Sequence, residues 1–464
     1  MTSAASMPTP VDLVVDHADL LVTMDGSRRE IPGGWLAIDG GAVVGVGDTT
    51  TRPPATRRTI DANGCVVTPG FVNTHHHIYQ NLTRSFSPAL QGDLFHWLTT
   101  LYPVWSRLDE EAAYVSAYIG AIELAMGGCT TSTDHLYVHP RGAGDLIGAE
   151  ISGAGEVGLR FHPTRGSMSR SKKDGGLPPD EVVQDDDEIL ADCERLVAAH
   201  HDRSPLAMVR IGLAPCSPFS VTPRLMRSTA ELADRLDVRL HTHLAEDRDE
   251  DTYCAEMYHC RPVEHLEACG WMSDRTWVAH CVFPSDVDIA NLGAHRVGIA
   301  HCPSSNQLIG AGLAPITEMR AAGSPVGIGC DGSASTDSAS LWMEARAALL
   351  LGRLRGGPQA MTARDALEMA TLGGAACLGR TGEIGTLSVG ACGDLVVWPR
   401  PPVAFAGAWS DPVEALLRCG PLTAKTTVVA GRVLVEDGEP TAPMLDMMLR
   451  THRRISKNMQ AALA

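Results

Sequence analysis

The sequence predicts an α/β protein in which a long middle of alternating strands and helices is joined to a small β-sandwich formed by both chain ends. Residues 11–66 contain short β-rich runs separated by Gly turns, with the first two strands expected at 11–15 and 20–23, and the same character returns at 393–398, 426–430 and 433–435. In the middle, short apolar runs are followed by amphipathic stretches, as where 326–330 precedes 341–351. Repeated strand-then-helix units favour a parallel sheet or barrel.

We divide the chain accordingly. The N-terminal part of the sandwich is expected over residues 1–66 and the α/β unit over 67–384. The C-terminal part of the sandwich is expected over 385–440, followed by a terminal helix over 441–464. A chain of 464 residues is long enough for an α/β barrel, which takes roughly 250 residues, and a second small unit.

Composition and charge narrow the class of protein. A formal net charge of −17 disfavours binding to nucleic acid polymers or acidic membranes, but does not oppose a small neutral ring. No apolar run approaches about 18 residues, so no membrane span is expected, and residues 1–16 do not resemble a signal peptide. The 13 Cys are an odd number, and we expect reduced thiols in a cytoplasmic protein.

The first group of chemically active side chains is His75-His76-His77, directly after the apolar run 66–72. Because residues i and i+2 of a strand point to the same side, His75 and His77 can share a ligand while His76 faces away. Two imidazoles at a strand end are good ligands for a divalent transition metal. A chance histidine cluster in a loop is the alternative.

Side chains of ligand or proton-transfer type also follow later apolar runs. After 238–240 come two histidines, either of which can be a ligand, and then a Glu that can act as a general acid or base. Each such residue alone is more often structural. A whole set at successive strand ends is typical of an α/β barrel, whose active site lies at the carboxyl ends of its strands. The set comprises His241, His243, Glu246, His280, His301 and Asp331.

Together these motifs resemble the amidohydrolase superfamily, in its branch of cytosine and guanine deaminases and triazine hydrolases. The resemblance spans nearly the whole chain and implies a distorted (β/α)8 barrel, similar to a TIM barrel, that holds one divalent metal, usually Zn²⁺ or Fe²⁺. It rests on Pro69-Gly70-Phe71-Val72-Asn73-Thr74-His75-x-His77, His243-x-x-Glu246, His280, His301-Cys-Pro-Ser-Ser-Asn306 and Asp331-Gly-Ser.

The resemblance also implies a role for each residue. Three histidines would be metal ligands, namely His75, His77 and His243. Asp331 would bind the metal or its water and take up a proton from that water. Glu246 and His280 would move protons, with Glu246 donating to a ring nitrogen of the substrate.

Lysine usage favours one metal over two. Binuclear members of the superfamily use a carboxylated Lys on a strand in the middle of the barrel. Between His77 and His243 the chain contains only Lys172 and Lys173, and both lie in a predicted loop rather than on a strand.

Several stretches resemble bacterial 8-oxoguanine deaminases, among them 76–84, 97–105, 134–137 and 214–220. The reaction implied is hydrolytic deamination of 8-oxoguanine to urate and ammonia. Substrate contacts are expected from the Gln80 amide, from Trp105 as a wall for a flat ring, and from Cys216 and His301. A structural hydrogen bond for Gln80 and a core position for Trp105 are the alternatives.

Other functions stay open. Guanine, isocytosine or a pterin are alternative substrates. The stretches 165–168, 208–211 and 312–316 resemble triazine hydrolases, so a chloride or alkylamine leaving group is a second reading, although some of those enzymes lack the barrel-end Asp. A non-catalytic scaffold is the least favoured reading, since such proteins typically lose ligands and this chain keeps the set. The resemblance further implies a homodimer or larger assembly.

Overall fold

A computed structural model describes residues 9–461. Residues 1–8 of the predicted sandwich and 462–464 of the predicted terminal helix lie outside the described residues. The strands are β1 (Val11–Val22), β2 (Glu30–Asp39), β3 (Ala42–Gly47), β4 (Thr56–Asp61), β5 (Cys65–Pro69), β6 (Phe71–Asn73), β7 (His76–His77), β8 (Cys129–Leu136), β9 (Arg160–Ser167), β10 (Gly212–Pro215), β11 (Arg239–Leu244), β12 (Thr276–His280), β13 (Gly298–His301), β14 (Val326–Ile328), β15 (Asp331–Gly332), β16 (Leu395–Pro399), β17 (Thr426–Val429), β18 (Arg432–Glu436) and β19 (Glu439–Pro440).

Helices follow most of the middle strands. They are α1 (Leu94–Trp105), α2 (Glu110–Met126), α3 (Leu146–Val157), α4 (Asp186–His200), α5 (Pro223–Leu236), α6 (Arg248–Tyr258), α7 (Pro262–Ala268), α8 (Asp286–Ala294), α9 (Pro303–Leu308), α10 (Ile316–Ala322), α11 (Leu341–Gly356), α12 (Ala363–Glu368), α13 (Gly374–Cys377), α14 (Pro412–Arg418) and α15 (Leu445–Gln460).

Eight parallel strands close into a barrel in the order β6-β8-β9-β10-β11-β12-β13-β14. The connections between neighbouring barrel strands contain helices, as the alternating pattern of the middle segment predicts. The expected TIM-like barrel is therefore confirmed. Two short strands, β7 and β15, pair with each other outside the closed barrel. β7 begins shortly after β6, and β15 begins shortly after β14.

Strands from both chain ends share one nine-stranded sheet, which contains β1 to β5 and β16 to β19. N-terminal β5 pairs antiparallel with C-terminal β16, with Val67 opposite Val397. The sheet has a hydrophobic core of its own, in which Leu13, Leu36 and Val428 are buried. The additional sheet built from both ends is thus confirmed.

The N-terminal run differs from the expectation of two short strands at 11–15 and 20–23. It forms the single 12-residue strand β1, whose register with β2 shifts between Val15 and Ala18. His17 adopts a left-handed conformation, with φ of 57°, inside this bulge. A bulge keeps the strand continuous across polar residues that the sequence pattern presents as a break.

Gly70 joins the end sheet to the barrel. A Cβ atom here would lie 1.9 Å from Thr130 Oγ1, so only glycine permits this close approach. The Gly70 N–H donates to Asp394 O at 3.0 Å, which ties the first barrel strand to the C-terminal part of the sheet. The junction lies a few residues after the expected limit at 66/67, and the domain limits remain predictions.

Two sequence expectations concern thiols and membranes. All 13 cysteines lie within the described part of the chain, and none of them forms a disulfide. Over residues 9–461 the structure contains no helix with the length and apolar character needed to cross a bilayer.

Candidate active site

The pairing of β7 with β15 brings two distant motifs together at the barrel rim. Asp331 lies opposite His76, and the His76 Nδ1 donates to the Asp331 main-chain oxygen at 2.5 Å. The Asp331 side chain instead turns toward the neighbouring histidines. Its Oδ1 lies 3.3 Å from Nε2 of both His75 and His77.

The three histidines expected to bind a metal converge on one point. Nε2 of His77 and Nε2 of His243 are 3.1 Å apart, and the His75 ring centre lies 4.7 Å and 4.8 Å from those of His77 and His243. All three side chains are buried. Buried imidazole nitrogens this close together, with a carboxylate beside them, form a donor set suited to a divalent transition metal.

Hydrogen bonds on the outer side of the rings determine which nitrogen faces this point. His77 Nδ1 donates to His135 O, and His243 Nδ1 donates to Cys216 O, each at 2.7 Å. Both rings therefore keep an Nε2 lone pair directed toward the centre. Metal-binding histidines in proteins are oriented in the same way, so the residues fit the implied metal.

A second ring orients His75. His241 Nδ1 donates to Trp277 O at 2.9 Å, which leaves His241 Nε2 as the acceptor for His75 Nδ1 at 2.8 Å. The His75 Nε2 has no hydrogen-bond partner among the described residues and faces the cluster. The sequence left open which of the two histidines on β11 is the ligand. The structure places His243 at the centre and His241 behind His75.

Burial keeps these rings neutral. It lowers the pKa of His75 and of His243 well below 6.5, and it lowers the pKa of His241 to about 3. A neutral imidazole has the lone pair that a metal requires, so the cluster needs no deprotonation to bind one at neutral pH.

We predict that His241→Phe weakens metal binding by roughly 10- to 100-fold, because His75 loses the acceptor that orients its ring. The measurement is a metal titration of the metal-free protein with a competing chelator. His265→Phe is a matched control, since His265 is also buried but stacks on Tyr258 outside the cluster. Equal metal affinity in the two variants would contradict the orienting role of His241.

Two carboxyl groups flank His280 beside the cluster. His280 Nε2 lies 3.5 Å from Glu246 Oε1 and 3.8 Å from Asp331 Oδ2. On the other side of the ring, His280 Nδ1 donates to Asn306 Oδ1 at 3.0 Å. Asn306 therefore directs the remaining His280 nitrogen toward the two carboxyl groups.

The two carboxyl groups lie in different surroundings, which shift their pKa values in opposite directions. Burial raises the pKa of Glu246 well above 4.5, and the negative charge of Asp331 adds to this. Burial also acts to raise the pKa of Asp331, but the imidazoles of His75, His280 and His77 beside it favour the ionised carboxylate and hold the pKa well below 3.8. The two carboxyl groups thus differ in proton affinity, and Glu246 holds its proton to a higher pH than Asp331 does.

Left-handed backbone conformations place several site residues. Ala245, His280, Cys281 and Asp331 all have φ between 50° and 69°, a region that residues other than Gly rarely adopt. Such strained conformations often occur at functional sites and need support from neighbouring groups. Glu250 on α6 gives this support at one turn, where its two carboxylate oxygens accept from Ala245 N at 2.9 Å and Glu246 N at 3.0 Å.

The cluster forms one end of a mostly apolar cavity. Within the described part of the chain, no Lys or Arg lines it. A larger open cleft, lined by His139 and Arg165 among others, contains none of the predicted site residues. The residues that line the apolar cavity are His77, Leu94, Trp97, Leu98, Tyr102, Tyr137, Cys216, Phe219, His243, Glu246, His280, Ser305, Ile309, Asp331 and Ser335.

The sequence model of the amidohydrolase family matches residues 66–433, which is well over half of the chain. The chain belongs to the amidohydrolase family. Among its relatives, the 8-oxoguanine deaminase of Pseudomonas aeruginosa is 45% identical over 423 residues, covering 90% of this chain and 93% of the relative. Hydroxydechloroatrazine ethylaminohydrolase of Pseudomonas sp. strain ADP is 36% identical over 445 residues, covering 92% and 91%.

A solved structure shows the same relationship. The crystal structure of atrazine chlorohydrolase from Arthrobacter aurescens TC1 complexed with zinc is similar with a TM-score of 0.90 at 33% identity, covering 96% of this chain and 100% of that chain. The family resemblance drawn from the motifs is confirmed, and with it the hydrolase class. Amidohydrolases are metal-dependent, and the histidine cluster of this chain has the donor atoms and spacing to hold a metal ion.

Of the four residues expected to touch the substrate, one lines the cavity of this amidohydrolase. Cys216 does so, and burial raises the pKa of its thiol to about 12, so it stays protonated. Trp105 lies one layer behind the wall, where its Nε1 donates to Thr83 Oγ1 at 3.1 Å and its ring packs edge-on against Trp97. This differs from the expected stacking against the substrate.

Gln80 and His301 also lie off the cavity wall. The Gln80 side chain is buried and its amide lies against Gly332. A Cβ atom added at Gly332 would lie 1.7 Å from Gln80 Oε1. His301, at the end of β13, lines a separate small cavity together with Leu313 and Ile316. Neither residue lines the cavity, and contact of Gln80 or His301 with a substrate stays a prediction.

Some residues near the site were not assigned a role from the sequence. Asn306 and Glu250 orient His280 and the Glu246 turn, as described above. His135 on β8 is buried with its ring stacked on that of His243 at 4.9 Å, and Tyr102 lines the cavity. Asn306 lies within a motif that carried the family resemblance, which was the one available signal, whereas Glu250 and His135 resemble ordinary buried polar residues.

The positions of the lysines in this amidohydrolase fit the expectation of a site with one metal. All four lie within the described residues, and none is on a barrel strand. Lys172 and Lys173 occupy a short 3-10 helix, and Lys173 is exposed and paired with Asp180 at 3.1 Å.

Proposed function

We propose that this amidohydrolase is a hydrolytic deaminase of a small amino-substituted oxopurine, and that it converts 8-oxoguanine and water to urate and ammonia. The observation that carries the proposal is the pair of carboxyl groups, Glu246 and Asp331, on either side of His280 at one end of an apolar cavity. The 45% identity to a relative named 8-oxoguanine deaminase supports the choice of ring.

We propose His75, His77 and His243 as metal ligands, with Asp331 beside them. When bound there, a divalent metal lowers the pKa of water toward about 7 and so supplies a nucleophile at neutral pH. We favour Zn²⁺ over Fe²⁺, because nitrogen and oxygen donors of this kind suit zinc and a relative of similar fold is complexed with zinc.

The remaining residues manage protons. Ionised Asp331 accepts a proton from the attacking water, whose oxygen bonds to the ring carbon that bears the amino group. Protonated Glu246 donates to the adjacent ring nitrogen, so that the adduct carries no extra charge. The amine then leaves as ammonia with the proton held by Asp331, and the new hydroxyl returns its proton to Glu246. His280, oriented by Asn306, holds the water between these two carboxyl groups.

The cavity wall supports a free base as substrate. Trp97, Tyr102, Tyr137 and Phe219 provide aromatic surface for a flat ring. Since no Lys or Arg lines the cavity among the described residues, a phosphate group would find no counter-charge there. These features favour a neutral heterocycle over a nucleotide.

Removal of chloride or an alkylamine from a triazine is the second candidate. It is supported by the 36% identity to an ethylaminohydrolase and by the fold of a chlorohydrolase. Asp331 favours deamination, because it supplies a proton acceptor that some triazine hydrolases lack. Guanine, isocytosine and a pterin are alternative substrates for the same chemistry.

Two further properties belong to the proposal. We expect a cytoplasmic location, because 13 unpaired thiols suit a reducing compartment. An assembly of two or more copies, which the family resemblance implies, also remains a prediction.

A substrate panel tests the function. Zinc-loaded protein is offered 8-oxoguanine, guanine, isocytosine, a pterin, a chlorotriazine and an ethylamino-triazine, and ammonia, chloride and ethylamine are measured. We expect ammonia from 8-oxoguanine with the highest kcat/KM. Release of chloride or ethylamine without ammonia from any of the amino-substituted rings would replace deamination by the triazine-type reaction.

A further inference from the structure

The wall of the cavity contains a buried hydroxyl that has no hydrogen-bond partner. Tyr102 lies on α1, is 1% exposed and lines the cavity, and its phenol oxygen has no partner among the described residues. An unpaired buried hydroxyl is unfavourable, so such groups in native proteins usually have a partner.

Other polar groups of the same wall are already paired. Trp97 Nε1 donates to Ala334 O at 3.1 Å. Ser305 Oγ donates to Ser335 Oγ at 3.1 Å, and Ser335 Oγ in turn donates to Gly332 O at 3.0 Å. Tyr102 therefore offers a free donor on a part of the wall that the protein does not use for its own hydrogen bonds.

Tyr102 keeps its proton at neutral pH and lines the same cavity as Glu246. Burial raises the pKa of Tyr102 well above 10, and the acidic groups of Cys216, Tyr79 and Glu246 act in the same direction. The phenol is therefore a donor at neutral pH.

We propose that the Tyr102 hydroxyl donates a hydrogen bond to a carbonyl oxygen of the bound heterocycle, so that Tyr102 determines specificity for oxo-substituted rings. This inference rests on the proposed function. It adds a hydrogen-bond partner for a carbonyl oxygen of the ring, to which the proposed function assigns no residue. A site built to hydrogen-bond a substrate oxygen discriminates strongly against a ring without it, because the buried donor is then left unpaired.

Three rings and two variants test the inference. The rings are 8-oxoguanine, guanine, which lacks the 8-oxygen, and 2-amino-8-oxopurine, which lacks the 6-oxygen. Tyr102→Phe removes only the hydroxyl. Tyr118→Phe is the matched control, because Tyr118 is also buried with an unpartnered hydroxyl but lies on α2 away from the cavity.

We expect Tyr102→Phe to lower kcat/KM for 8-oxoguanine by roughly 10- to 100-fold, with metal content and melting temperature unchanged. For the ring that lacks the contacted oxygen, kcat/KM should fall by less than about 3-fold. For the other ring, kcat/KM should fall by as much as for 8-oxoguanine. Tyr118→Phe should leave all three values unchanged.

Two results would overturn the inference while the proposed function stands. One is a Tyr102→Phe variant whose kcat/KM for 8-oxoguanine stays within 2-fold of the natural protein, and the other is the same loss on all three rings. No ammonia from any of the three rings with the natural, metal-loaded protein would overturn the proposed function itself, and the inference with it.

Discussion

Glu246→Gln is expected to lower kcat for deamination by roughly 100- to 10,000-fold, the range typical of a lost general acid or base. The amide matches the size of the carboxyl group but has no transferable acidic proton. Burial and the charge of Asp331 raise the pKa of Glu246 and so favour the protonated form that donation requires, and the variant loses that donor while it keeps the shape of the cavity. The measurement is steady-state ammonia release with metal content determined in parallel.

A second buried glutamate serves as the control for this variant. Glu344 on α11 is 1% exposed and accepts from Ser304 N at 3.0 Å, but it does not line the cavity. Glu344→Gln keeps an acceptor for that bond and should keep kcat within a few-fold of the natural protein. Full activity in Glu246→Gln would remove Glu246 from the proton transfer.

His243→Ala is expected to weaken metal affinity by at least roughly 100-fold and to abolish turnover under conditions that saturate the natural protein with metal. The reason is that His243 Nε2 lies 3.1 Å from His77 Nε2, on the point where the three rings converge. Metal per chain is measured after dialysis, and Co²⁺ absorption reports the donor set. One retained equivalent of metal with an unchanged Co²⁺ spectrum would exclude His243 as a ligand.

The ligand cluster could be predicted from the sequence because strand geometry is regular. Alternation along a strand places His75 and His77 on one side, and the carboxyl ends of barrel strands meet at one rim, so histidines far apart in the chain converge. The same regularity predicted the barrel from alternating apolar runs and amphipathic stretches. Both inferences use local patterns that tertiary packing rarely overrides.

The substrate contacts were harder to predict because local sequence does not show whether a side chain reaches the surface of the cavity. The sequence shows that Trp105 is aromatic and near the site, but not that Trp97 and Tyr137 lie between it and the cavity. It shows Gln80 three residues after His77, but not that its amide is directed at Gly332. These outcomes depend on packing among several elements.

Backbone conformation was a second feature that the sequence did not show. The left-handed bulge at His17 joined two expected strands into one, and Ala245, His280 and Asp331 also adopt left-handed conformations. None of these residues is glycine, so no residue type indicated the conformation beforehand. Supporting bonds such as those from Glu250 become visible only in the folded chain.

We propose hydrolytic deamination of 8-oxoguanine at the site of Glu246, Asp331 and the three histidines. The decisive experiment is the yield of urate and ammonia from 8-oxoguanine by protein that carries one equivalent of zinc. We expect equal amounts of both products, and the loss of both in Glu246→Gln at unchanged zinc content. If zinc-loaded protein leaves 8-oxoguanine intact while it hydrolyses another ring or removes another leaving group, 8-oxoguanine is not the substrate.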